Sequence, residues 1–363
     1  LETKMIKVIE AAGTPEDIGR IIGAAVADSF ADAVLAEPEF METEALFADT
    51  PYLAHLSDAA DAAYPKYMRE LTAMAKAIGI DPLRLFLWNC RGDLRFPPET
   101  AQARLDALSD GCTTLMAPGD FTQDKPAVIA HNEDGSGAFM NHRYWVRVRP
   151  DAAPGFESFL YPGMLPGHSV AVNGAGLVQT INNIRASDLK PGIPRHFVCR
   201  AILDEDSIPS VIGHLARRDR ASGFHHALGM IGEESPLSVE APASTTIIRP
   251  VGVPMAHANH LLDDTFKDAD QAITASSKYR QDTVDAYLAE GGDPSTPETI
   301  LFQRSDDSDA AHGESVLRRP GDGGDDYGCT LATAVFRIHA DRVAWTVHAS
   351  PDDLDVIQGT VTL

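Results

Sequence analysis

The chain has 363 residues, with 53 aspartates and glutamates against 30 lysines and arginines and a formal net charge of −23. That acidity excludes nucleic acid and an anionic membrane surface as principal partners, and no apolar run reaches the roughly 18 residues of a membrane span. Apolar residues at 44% and charged residues at 23% describe an ordinary globular chain, whose length alone suggests about two domains.

The four cysteines, Cys90, Cys112, Cys199 and Cys329, are too scattered for a CxxC pair and too few for a disulfide scaffold. Reduced thiols in a cytoplasmic protein are therefore expected. Met5 can serve as the natural start, and the N-terminus shows neither the basic nor the apolar region of a signal peptide.

From Pro15 onward, Ile18, Ile21, Ile22, Ala25, Val26 and Phe30 recur at helical spacing, with Thr14 as N-cap and Glu16 and Asp17 in the first turn. A second helix is predicted over 64–78, where Tyr67, Met68, Leu71, Met74 and Ala75 share a face. Gly79 stops it, and Asp81-Pro82 starts a shorter one carrying Leu83, Leu85 and Phe86. From Cys112 the pattern turns to strands. Residues 113–116 and 127–131 are β-prone, and the turn-forming Pro118-Gly119-Asp120 and Gln123-Asp124-Lys125 between them make a hairpin signature. Strand patterns recur at 145–148, 169–172 and 177–181, helices at 195–203 and 208–217, and strands at 245–248, 330–338 and 343–349. Residues 291–297 and 318–326, rich in Gly, Pro and Asp, read as mobile loops. This order is not the βαβα alternation of a Rossmann fold or barrel; it indicates an α+β architecture with helices outside antiparallel sheets. Gly174-Ala175-Gly176 lacks a third glycine and a following helix, so it reads as a turn and not as a dinucleotide fingerprint.

The stretch Asp110-Gly111-Cys112-Thr113-Thr114 sets a cysteine where helical texture gives way to strand. Gly111 allows unusual φ/ψ values beside that peptide bond. If the Gly111–Cys112 bond is cut, Cys112 owns both a thiol and an α-amino group. With an ordinary pKa of roughly 7.7–8.0, that amine suits the role of the nucleophile's own base. Period-two alternation puts Asn132 and Asp134 on one face of the second hairpin strand, with Glu133 pointing away. The pair then offers a carboxylate to orient the amine and an amide to donate to an oxyanion.

Asp110-Gly111-Cys112-Thr113-Thr114 followed by His131-Asn132-Glu133-Asp134 resembles the acyl-coenzyme A:6-aminopenicillanic acid acyltransferase family of N-terminal-nucleophile (Ntn) hydrolases. These are autoproteolytic enzymes, and they include amide hydrolases such as carcinine hydrolase. The resemblance covers nearly the whole chain. It includes Gly13-Thr14-Pro15-Glu16-Asp17-Ile18-Gly19, the glycine-rich stretches 162–167, 173–177 and 191–195, Ala258-Asn259-His260, and the closing strands over 331–347.

The resemblance implies a four-layer αββα sandwich, one Ntn domain over 1–363. Self-cleavage at Gly111–Cys112 would leave a mainly helical light chain, 1–111, and a heavy chain, 112–363. Carried over residue by residue, Cys112 is the nucleophile, Asp134 positions its amine and Asn259 donates to the oxyanion. Asn132 is a further oxyanion candidate, and Arg319 stands for the catalytic arginine that precedes the closing strands. His131, Glu133 and Tyr144 are the candidate substrate contacts. Family members often carry an aromatic where this chain has Glu133. Its carboxylate is expected outside the pocket, the sharper alternative being that it reaches the pocket and prefers a cationic amine.

The implied reaction is hydrolysis of a small N-acyl amine or peptide-like amide through an acyl-enzyme on Cys112, with no cofactor. One alternative is an N-acyltransferase fed by acyl-CoA, which the lack of a basic cluster disfavours. A catalytically degenerate binding protein is the remote alternative, against which Gly111, Cys112, Asp134 and Asn259 stand together. Homo-oligomerisation is left open. No metal is expected: His257 with His260, and His225 and His226 with His214, have no Cys or carboxylate at ligand spacing, and HExxH is absent. Cys90, Cys199 and Cys329 read as packing residues. Ser276-Ser277-Lys278-Tyr279-Arg280 lacks any Ser/Lys nucleophile frame and reads as the start of a helix. Phe139, Tyr144, Trp145, Phe159 and Tyr161 read as core, with one or two lining an acyl pocket.

Overall fold

Prolines open the helical part of the chain. Helices α1 (Pro15–Ser29), α2 (Pro38–Phe47), α3 (Pro51–Ala63), α4 (Pro65–Ile78) and α5 (Pro82–Asn89) each begin at a proline. Its φ is already helical, and the N–H it lacks has no partner in a first turn. Thr14 closes a capping box with Asp17, and Gly79 ends α4 at φ 90°, a left-handed conformation suited to glycine. The computed structural model describes residues 5–97, 111–304, 315–319, 328–351 and 356–363. Asp110, which precedes the Gly111–Cys112 cleavage site, and residues 320–326 of the second expected loop lie outside the described residues.

In chain order the strands begin with β1 (Lys7–Gly13), β2 (Gly111–Ala117), β3 (Ala127–Gly135), β4 (Tyr144–Pro150), β5 (Phe156–Leu160), β6 (Val170–Asn173) and β7 (Leu177–Asn183). After α6 (Arg195–Ile202) and α7 (Ile208–Leu215) come β8 (Phe224–Met230), β9 (Leu237–Glu240), β10 (Ile247–Pro250) and β11 (Met255–His257). Helices α8 (Ala275–Ala289) and α9 (Glu298–Leu301) precede β12 (Cys329–Ile338), β13 (Arg342–His348) and β14 (Ile357–Thr362). One sheet has the order β1-β4-β5-β6-β7-β8-β9-β10, the other β11-β2-β3-β12-β13-β14. All pairings are antiparallel except β1 with β4.

Contacts of β2 with β7 and of β3 with β8 put the sheets face to face. Helix α1, itself against α4, covers β1 and β4, and α8 covers β2 and β11. The layers are therefore αββα, the architecture the resemblance implied, and the fold class is α+β. Because β2 and β3 lie between a sheet and a helix, every residue in both is buried. On the helix side of these strands, Leu115, Ala130, Val284, Leu301 and Val335 share a separate apolar cluster.

The expected hairpin forms as β2 and β3, the helices over 64–78 and 195–203 form as α4 and α6, and residues 291–297 lie in a loop after α8. Strands β1, β5, β8, β9, β11 and β14 were not expected. β8 shows why: Phe224-His225-His226-Ala227-Leu228-Gly229-Met230 has no apolar alternation. Its histidines are buried because they bond Asn182, Ser238 and Gln179 on neighbouring strands. Among the described residues, no helix is long and apolar enough to cross a membrane.

Candidate active site

The register of β2 against β3 decides what faces what. Cys112 lies opposite Glu133, Thr113 opposite Asn132 and Thr114 opposite His131, and cross-strand partners share a face. Cys112, Thr114, His131 and Glu133 therefore look into the gap between the sheets, whereas Thr113 and Asn132 look towards α8 and α9. This reverses two expectations. Glu133 does point away from Asn132, but into the cavity and not outside it: the Cys112 thiol donates to its Oε2 at 3.3 Å. Asn132 is no oxyanion donor. Its Nδ2 donates to the carbonyls of Leu301 (2.7 Å) and Val316 (3.2 Å), and its Oδ1 accepts from Thr333, so it ties β3 to the helix layer.

The backbone of Cys112 is held from the helix side. Its N–H donates to Asn259 Oδ1 at 2.9 Å, and its carbonyl accepts from Arg280 Nη1. Arg280 also donates to Thr113 Oγ1 (2.9 Å) and to Asn259 Oδ1 (2.7 Å). Asn259 thus presents its oxygen to Cys112, and its Nδ2 donates to the Asn183 carbonyl. The expected oxyanion donation by Asn259 is not the arrangement here. Arg280, from the stretch 276–280 read only as a helix start, is the arginine at Cys112. Its burial beside Arg318 lowers its pKa to about 10 against the opposing pull of Asp134.

The expected Arg319 does not line the cavity at Cys112; it lines a separate one of about 210 Å³ with Met140 and His348. Its neighbour Arg318 approaches Asp134, 4.0 Å from Oδ2. Asp134 also accepts from Thr330 Oγ1 at 2.6 Å, and burial raises its pKa against the pull of Arg318 and Arg280. Burial and the adjacent charges of Glu133 and Asp134 push the Cys112 thiol well above its ordinary range.

Glu133 behaves differently. Burial opposes its charge, but the hydrogen bond with His131 and the proximity of His168 outweigh burial and hold the carboxyl below its ordinary value. Tyr161 OH donates to its Oε1, and His131 Nε2 lies 3.2 Å from its Oε2. His131 is placed behind Glu133, outside the cavity lining. Tyr144 is not a substrate contact either: its hydroxyl bonds Ser29 at 2.5 Å in the core under α1.

Surrounding bonds determine which His131 nitrogen carries hydrogen. Asn182 Nδ2 donates to the His257 carbonyl (3.0 Å), so Asn182 Oδ1 accepts from Thr114 Oγ1–H (2.7 Å). With its proton committed there, Thr114 Oγ1 accepts from His131 Nδ1–H at 2.8 Å. A neutral His131 then turns its Nε2 lone pair towards a carboxylate oxygen. A proton or another cation must lie between the two.

Cys112, Glu133, Asp134, Tyr161 and His168 open on a cavity of about 730 Å³, whose walls include Trp88, Phe139, Glu37, Glu39 and Arg185. That volume suits a small molecule. An open groove of mixed charge and about 880 Å³ between α1, α3 and α4 holds neither cysteine nor histidine. Cys90, Cys199 and Cys329 are buried away from this lining.

A family model described as acyl-coenzyme A:6-aminopenicillanic acid acyl-transferase matches residues 121–353. The chain belongs to that family. The match begins beyond Cys112, so β2 lies outside it while β3, Asn259 and Arg280 lie within. The chain is also 32% identical over 157 residues to a Drosophila melanogaster protein named beta-alanyl-dopamine/carcinine hydrolase. That similarity covers 40% of this chain and 39% of the relative's length.

Proposed function

We propose that this family member is a self-processed cysteine Ntn hydrolase that cleaves small N-acyl amines. The observation that carries the reading is the convergence at Cys112: a thiol open to the cavity, with its own backbone nitrogen and carbonyl gripped by Asn259 and Arg280. A residue held at both its main-chain atoms is one whose peptide bond and thiol keep a set relation, which intramolecular attack requires.

In the first step Sγ attacks the Gly111 carbonyl carbon, the Gly111–Cys112 C–N bond breaks with a proton passing to nitrogen, and water hydrolyses the resulting thioester. Two pieces result, 1–111 and 112–363, which remain parts of one domain. The freed α-amine of Cys112 sits where Asn259 Oδ1 already accepts from that nitrogen. Its ordinary pKa near about 8 lets it take the thiol proton at neutral pH. Sγ then attacks the amide carbonyl, the amine leaves with that proton, and water releases the acid.

Glu133 supports a narrower substrate class. An ionised carboxylate 3.3 Å from the attacking sulfur leaves room for a cationic group only a few bonds from the scissile carbonyl. A short aminoacyl amide fits, and the relative is named for a β-alanyl amide. Acyl transfer to an amine is the second reading, favoured by the family's own description.

Intact-mass spectrometry tests the processing step. Pieces of about 12 and 27 kDa, the shares of 39.0 kDa carried by 111 and 252 of the 363 residues, are expected from the wild type, and a single uncut chain from Cys112→Ala. Cys112-dependent release of amine from a β-alanyl amide, without transfer to a second amine, tests the reaction. An uncut wild type that is inert towards amides overturns the reading.

A further inference from the structure

We propose that Cys112, His131 and Glu133 form a three-ligand site for a thiophilic divalent cation of the Zn2+ class. Sγ lies 3.3 Å and His131 Nε2 3.2 Å from Glu133 Oε2, and all three ligand atoms lie within 4.8 Å of one another. A triangle of those dimensions has a point roughly 1.9–2.4 Å from every corner. Zinc takes about 2.3 Å to thiolate sulfur and about 2.0–2.2 Å to imidazole nitrogen and carboxylate oxygen.

The hydrogen bonds behind the three atoms point the same way. Thr114 accepts from His131 Nδ1–H, which leaves Nε2 as the ligating nitrogen. Tyr161 holds the other Glu133 oxygen. Bonds of this kind orient ligands in metal centres and keep their lone pairs on the ion. Three protein ligands leave a fourth position, and the 730 Å³ cavity that Cys112 and Glu133 line supplies it. A dication with one thiolate and one carboxylate makes an electrically neutral buried unit, which removes the main penalty of burying the ion. Two other clustered histidines differ. His225 uses both ring nitrogens on Asn182 and Ser238, and His257 uses both on Ala258 and Glu240.

Binding displaces the thiol proton, and the Nε2 proton where one is present, to solvent. The ion occupies the sulfur lone pair that attack would use, so the loaded protein is held latent until a chelator or competing ligand removes the metal. This inference goes beyond the proposed hydrolysis and needs no turnover.

The test is Co2+ titration of the chelator-treated full chain, followed by displacement with Zn2+. One equivalent of Co2+ with a thiolate-to-cobalt charge-transfer band is expected. Glu133→Gln and His131→Asn should lose the band, and Tyr161→Phe should bind about 10–100-fold more weakly. Cobalt binding without a thiolate band, or with wild-type affinity in both ligand variants, overturns the proposal. Should those variants fail to fold, alkylation of the unaltered protein decides. Zn2+ must slow labelling of Cys112 while leaving Cys90, Cys199 and Cys329 unchanged, and equal labelling of Cys112 with and without Zn2+ overturns the site. A protein that binds cobalt but cleaves nothing contradicts only the hydrolase reading; an active one that binds none contradicts only this site.

Discussion

Cys112 Sγ and Glu133 Oε2 face each other across the β2–β3 pair at 3.3 Å, a thiol donating to a buried carboxylate. The thiol is raised and the carboxyl lowered, so the proton rests on sulfur and the negative charge on Glu133. That division leaves a fixed anion beside the atom proposed to attack.

Glu133→Gln should therefore change selectivity more than it changes a neutral reaction. A charge-assisted hydrogen bond contributes about 1.5–3 kcal/mol. The kcat/KM ratio of a β-alanyl amide over its propionyl counterpart should accordingly fall about 10–100-fold. Competition between the two amides at equal concentration measures the ratio, and an unchanged value removes Glu133 from cation recognition.

Gly111→Ala should retard self-cleavage. A Cβ at Gly111 would lie 2.7 Å from Arg280 Nη2 and 3.3 Å from Asn259 Oδ1, so the two groups that hold Cys112 must shift. Misplacement on that scale costs about 10²-fold in rate. A mass-spectrometric time course reads it, and wild-type processing would show that the grip on Cys112 is dispensable.

Asn132→Ala should cost stability and leave processing intact. It removes bonds to the Leu301 and Val316 carbonyls and to Thr333, a loss of about 1–3 kcal/mol. Thermal melting should show the drop. A variant as stable as wild type yet uncut would return Asn132 to the chemistry.

Asp93 should make the fold sensitive to pH between about 4 and 6. Burial raises its pKa from 3.8 to about 6, against the pull of Arg195 and the Ser222 hydrogen bond. The folded chain thus binds this proton more tightly than the unfolded one. The stabilisation is complete below pH 3.8 and is lost as pH rises through 6, by about 3 kcal/mol. Asp93→Asn should remove this component, read as the difference in Tm between variant and wild type across that range; a constant difference would refute it.

Gly19→Ala should loosen the helix pair. The added Cβ would lie 2.0 Å from the Glu70 carbonyl oxygen of α4, a backbone atom that cannot swing aside. Overpacking of this kind costs about 1–3 kcal/mol. A stability equal to wild type would mean that α1 and α4 can separate freely.

Local chemistry made much of this protein legible in sequence. The Thr14 cap, the proline starts, the Gly79 stop and the β2–β3 hairpin depend on neighbours within a few residues, and the Gly111-Cys112-Thr113-Thr114 run carried the family resemblance before any contact was known. Alternation also correctly set Glu133 apart from Asn132 and Asp134. It could not say which of those faces Cys112 shares, because that depends on the register between two strands, and a one-residue slip inverts it. Asn259 lies 147 residues from Cys112 and Arg280 lies 168 residues away. The signal for Arg280 was only its place on a predicted helix, and no local pattern tells such an arginine that it will be buried against a cysteine. The sequence alone determined many of the elements and the nucleophile candidate, since both rest on short-range periodicity and residue type. Only tertiary structure decided Glu133 over Asn132 and Arg280 over Arg319, because burial and register arise when separate layers close on each other.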